Sequence, residues 1–86
     1  MQTINCATSE HEQAGIAAYI VIAGDWATGY VKSPTHPWKQ YVGLCRPTDL
    51  APYGMNRLKG EVQKSADMIL QEIEAKANGT YHLLFQ

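Results

Sequence analysis

Two kinds of hydrophobic pattern divide this chain. From Gln2 to Cys45 the apolar residues come in short runs separated by glycine, proline and polar clusters; from Leu58 to Ala77 they recur every three or four residues. The first pattern predicts strands. Residues 2–6 (QTINC) form a short first one. IAAYIVIA at 16–23 is rich in Ile, Val and Tyr and reads as a strand buried on both faces. Gly24-Asp25 and Gly29 bracket a turn. YVKS at 30–33 is the next strand, with Tyr30 and Lys32 facing one way and Val31 the other. Pro34 and Pro37 close it, since proline cannot donate to a ladder. WKQYVGLC at 38–45 follows and Arg46-Pro47 stops it. Between the first two strands, SEHEQAG at 9–15 reads as a turn or a single helical turn. Ser9 and Glu12 have capping-box spacing, and Gly15 ends the segment.

A second regularity supports this meander. Tyr19, Tyr30 and Tyr41 lie eleven residues apart, each followed by Ile or Val. Equal spacing would set the three tyrosines at like places on three successive strands.

In the second pattern, Leu58, Val62, Ala66, Ile69, Leu70, Ile73 and Ala77 keep helical spacing over about six turns. Asn56 suits an N-cap, and Asn78-Gly79 suits a C-cap because both residues tolerate the left-handed conformation. Gly60 costs about 1 kcal/mol against alanine and belongs near the first turn or against a neighbouring backbone. TYHLLF at 80–85 reads as a last strand. The order β-(turn)-β-β-β-α-β predicts an α+β fold in a single domain, 1–86. An antiparallel sheet of four to five strands carries one long helix, about 56–77, on one face.

Composition narrows the function. Apolar residues are 45% and charged residues 17%, so the chain is globular. Net charge is −1, with two basic and three acidic residues in 1–45 and five of each in 46–86. No polybasic arm is present, so nucleic acid is not an expected partner. No export signal is visible at the N-terminus, and the longest apolar run, 16–23, is too short for a membrane span. The reading is cytoplasmic, with Cys6 and Cys45 reduced and buried.

Candidate chemistry is sparse. His11, His36, His82, Cys6 and Cys45 show no metal-ligand spacing, so no metal or other cofactor is expected. Cys45 lies within an apolar strand, where a thiol is not activated, and Arg46 points to the opposite face. Glu10-His11-Glu12 is read as a solvated turn. The glycines match no phosphate cradle. Asn78-Gly79-Thr80 fits a glycosylation sequon, but a helix stop explains it. An enzyme using Cys45 or His36 stands as the least supported alternative, and no catalytic residue is assigned.

The residues of GDWATGYVKSPTHPWKQ, 24–40, are the strongest candidates for a site. Trp26, Tyr30, Trp38 and Tyr41, with Lys32 and Lys39 between them, form an aromatic and basic cluster. The rings could cap the core, anchor a protein partner or stack the bases of a single strand. The readings rank in that order, since two lysines beside Asp25 are few for a polyanion. The candidate contact residues are Asp25, Trp26, Tyr30, Lys32, His36, Trp38 and Lys39. Gly29-Tyr30-Val31, Pro34 and His36-Pro37-Trp38 resemble a GYVxxPxGHPW stretch of small bacteriophage-borne proteins. This chain lacks the glycine before the histidine and the HGGLTY element downstream. The resemblance covers about ten residues, implies a phage or prophage origin, and carries no activity or site residue with it.

The expectation is therefore a non-enzymatic protein-binding module. It would serve as a phage accessory protein that inhibits a host protein or defence system, in the manner of an anti-CRISPR protein. Self-association through an edge strand also suits an apolar, low-charge sheet. A small-molecule or nucleotide sponge or sensor, holding its ligand between sheet and loop, is the alternative.

Overall fold

The computed structural model describes residues 1–50, 52–80 and 82. Four strands, β1 (Gln2–Asn5), β2 (Ala17–Ala23), β3 (Trp26–Lys32) and β4 (Gln40–Cys45), form an antiparallel sheet in the order β1-β2-β3-β4. A short helix α1 (Ser9–Gln13) joins β1 to β2, and the long helix α2 (Met55–Asn78) follows β4. This is the α+β architecture that the two hydrophobic patterns predict. The expected strand at 80–85 lies outside the described residues, apart from Thr80 and His82.

The helix lies across one face of the sheet. Ala18 and Ile20 on β2, Ala27 and Val31 on β3, and Cys45 on β4 are buried with Leu58, Val62, Ala66 and Ile69 of α2. β2 corrects its sequence reading. Its burial alternates, so it is covered on one face and not on both. With a helix on one side, its Tyr19 and Val21 are left half-buried on the other. Ala77, assigned to the inner stripe, is exposed, and Ala75 is buried instead.

The ends of elements differ in instructive ways. β3 begins at Trp26, not Tyr30, because Gly24-Asp25 closes a two-residue hairpin that pairs Ala23 with Trp26. Gly24 sits at φ 61° and Asp25 at negative φ, the pattern of a type II′ turn that matches strand twist. α2 is capped by Gly54, and Asn56 falls inside its first turn. At the far end Gly79 adopts φ 72°, as the Asn78-Gly79 pair predicts. α1 is capped by Thr8 with His11, one residue before the Ser9–Glu12 pair.

Two glycines set how closely the layers pack. Gly29 of β3 pairs with Gly43 of β4 directly beneath α2. A β-carbon on Gly29 would occupy the place of Val62 Cγ2 and come 3.1 Å from Leu58 Cδ1. The missing side chains let the helix settle on the sheet. Next to them the β3–β4 register slips, so Tyr30 faces Tyr41 while Gly29 faces Gly43, and Val42 is the additional residue. Val42 packs against the core.

Candidate functional site

The face of the sheet turned away from α2 is covered by no element among the described residues. The register places side chains on it in rows. One row runs Tyr19, Tyr30, Tyr41, since Tyr19 pairs with Tyr30 and Tyr30 with Tyr41. The eleven-residue spacing thus becomes a line of tyrosines across three strands. The Tyr19 and Tyr30 rings lie 5.7 Å apart at 36°. A second row holds Val21, Thr28 and Leu44, and Trp26 stands at the hairpin end beside Ala23. Trp26 is 50% exposed, Tyr41 63% and Leu44 41%. A line of large rings half in water is unusual for a surface with no partner, and Trp and Tyr are the residues that anchor interfaces.

Charge on this face is confined to its ends. Lys32 closes β3 at one end, and the ammonium of Lys39 reaches back over the Tyr30 ring, 4.7 Å from its centre. That contact holds a cation over the negative face of the ring and fixes the margin of the patch. Asp25 sits at the opposite end, in the hairpin turn. Of the eight acidic residues, none falls on the rows themselves.

The structure therefore brings together five of the seven expected contact residues: Trp26, Tyr30, Lys32 and Lys39, with Asp25 at the rim. It separates the other two. His36 lies in the connection 33–39, where its Nδ1 is 3.1 Å from Thr35 Oγ1 and 3.4 Å from Ser33 Oγ. Reciprocal backbone bonds between Ser33 and His36 tie that turn. His36 instead borders a groove of about 340 Å³ between β4 and α2, with Val31, Gln40, Val42 and Met68; Tyr41, on the edge strand β4, borders this groove as well as the open face. Trp38 is 83% exposed in the same connection, outside the strand to which it was assigned. Tyr19 and Leu44 belong to the face and were missed as site residues. The tyrosine spacing was the signal for Tyr19, whereas Leu44 was hidden by the register slip.

The thiols are placed for packing. Cys6 and Cys45 are free and buried. Burial pushes both thiols up, with Asp49 adding to the effect at Cys45. Neither is an activated nucleophile. The folded state thus holds both as neutral thiols. The unfolded chain ionises first as pH rises, so stability is full below the ordinary thiol range and declines above it. In native protein near neutral pH, a thiol reagent is expected to label both cysteines far more slowly than in denaturant. Labelling at equal rates would contradict their burial.

Among the described residues, no group of three or more His, Cys, Asp or Glu side chains could hold a metal ion. No helix there is long and apolar enough to cross a membrane. No family model matches the chain, and comparison with curated proteins and with solved structures finds no match.

Proposed function

We propose that this chain is a small, non-enzymatic protein-binding module that docks its partner on the open face of the sheet. The observation that carries the reading is the tyrosine row Tyr19–Tyr30–Tyr41, flanked by Trp26 and Leu44, on a face that no element among the described residues covers. Rigid aromatic side chains on strands lose little entropy on binding, so they make efficient anchors. Lys32, Lys39 and Asp25 at the ends supply orientation rather than affinity. A module of this size acts by occlusion, covering a surface that its partner needs. With the phage resemblance of residues 29–38, the reading becomes an accessory protein that binds and inhibits a host protein in the cytoplasm.

The test is capture from host lysate with wild type and with Trp26→Ala/Tyr41→Ala. Both positions are exposed, so the variant is expected to fold. Loss of two anchors should weaken capture by at least about tenfold. Equal capture by both proteins would place the interface elsewhere, with Trp38→Ala the next variant to compare.

A further inference from the structure

We propose that, in the absence of another partner, the open face is covered by a second copy of this chain in a two-fold, face-to-face dimer. The inference rests on the docking reading above and names the occupant. Its basis is the charge distribution along the strands. At the hairpin end stand Asp25 and the Arg46–Asp49 pair, whose guanidinium Nε is 3.4 Å from a carboxylate oxygen. At the other end stand Lys32 and Lys39, with Glu12 at the β1 corner, where its Oε1 is 3.4 Å from Asn5 Nδ2. Between them the rows are uncharged.

Two copies can stack face to face about a two-fold axis along the strands or across them. The first sets Asp25 over Asp25 and the lysine pair over itself. The second reverses one sheet, so that Asp25 of each copy meets Lys32 and Lys39 of the other. Each tyrosine row then falls between Trp26 and the Val21–Thr28–Leu44 row of the other copy. Charge complementarity selects the second, and an isologous two-fold contact is the commonest closed arrangement. Two sheets packed in this way lie about 10 Å apart, giving helix–sheet–sheet–helix layers.

Area sets the strength. Four strands about 4.8 Å apart and about six residues long on average offer a face of roughly 20 by 20 Å. That is at the small end for specific interfaces, so the dimer should be concentration-dependent rather than permanent. A weak self-contact suits a face that must release its copy to take a partner.

The experiment is light scattering or sedimentation of the full chain from roughly 1 μM to 1 mM, the range in which weak interfaces operate. The expected result is a mass rising from the 9.5 kDa of one chain to twice that. Tyr41→Glu should hold the chain monomeric with unchanged circular dichroism. Asp25→Lys, at the turn tip, should weaken the dimer by about tenfold or more. Adding Lys32→Glu and Lys39→Glu to it should restore the dimer, because the charges are then exchanged and not lost. A monomer throughout overturns the inference. So does a dimer indifferent to Tyr41→Glu and Asp25→Lys, or one that the exchange fails to restore. A monomeric wild type whose partner capture still depends on Trp26 and Tyr41 would overturn the dimer and leave the docking reading standing.

Discussion

Gly29→Ala is expected to lower the stability of the domain by about 2–3 kcal/mol, the upper part of the range for overpacking a core. For a chain of this size that is a fall of roughly 10–20 °C in Tm. The added methyl would occupy the place of Val62 Cγ2 and press on Leu58 Cδ1. Neither neighbour can retreat, because Val62 and Leu58 are fully buried and Val62 is branched at its β-carbon. The helix must therefore lift from the sheet, or β3 must bend. Gly43→Ala is a useful comparison. Its methyl would meet Glu61 Oε2 at 2.9 Å and Leu58 Cδ1 at 3.0 Å. The Glu61 carboxylate is the end of a long, partly exposed side chain and can swing away, which leaves the Leu58 contact but no overlap like that with Val62, so about 1–2 kcal/mol is expected, less than for Gly29→Ala. Urea unfolding of the two variants checks the order. A double variant, Gly29→Ala/Val62→Ala, should recover part of the loss, since the two sites touch and couple. If Gly29→Ala unfolds at the wild-type midpoint, the close approach of α2 to β3 is wrong.

This pair of glycines also marks where sequence reasoning stopped. Gly29 and Gly43 read as a turn marker and an unremarkable strand residue, because the reason for each lies in a helix some fifteen to thirty positions later. Periodicity is a local signal, so it located α2 and the strands well. It could not say that a single helix covers a single face. Hence IAAYIVIA reads from its pattern as buried on both sides, and the open face leaves no local signal of its own. The contact cluster was nonetheless partly legible. Alternation along β3 sets Trp26, Tyr30 and Lys32 on one side once the II′ turn is recognised. The tyrosine spacing carried the register to β2 and β4. His36 and Trp38 were grouped with these residues by proximity in the chain. A two-proline connection then turned His36 toward the helix side and left Trp38 in solvent. The Asn78-Gly79 stop could be read because a C-cap depends on backbone conformation at one residue, whereas the N-cap at Gly54 depends on its packing against the Asp49 carbonyl.

His11 is the residue whose environment departs most from its sequence reading, and His11→Ala is the second substitution expected to have a large effect. Read as part of a solvated acidic turn, it is in fact 1% exposed and joins α1 to α2. Its Nδ1 accepts the Thr8 backbone N–H at 3.0 Å, and its own N–H donates to Thr8 Oγ1 at 3.3 Å, which together make the capping box of α1. An Nδ1 that accepts leaves the ring proton on Nε2, which donates to Asp67 Oδ1 at 2.6 Å. Beside it, Gln63 of α2 donates to the Cys6 carbonyl at 3.3 Å, so one turn of helix secures the whole β1–β2 connection. Alanine would remove a cap acceptor worth about 1 kcal/mol and a hydrogen bond to a charged group worth about 1.5–3 kcal/mol, and would leave a cavity. The expected total is about 3–4 kcal/mol, less than the sum because the neighbours relax. His11→Gln should cost much less: its amide oxygen can take the Thr8 N–H, as glutamine does at this position of a capping box, while its NH₂ reaches toward Asp67. Asp67→Ala should fall between the two, because it strands a buried N–H but keeps the cap. Hydrogen exchange at residues 8–16 gives the site-specific readout, since His11→Ala should deprotect this connection before the β2–β3 hairpin. If glutamine proves as damaging as alanine, the ring is held by its shape and not by its bonds.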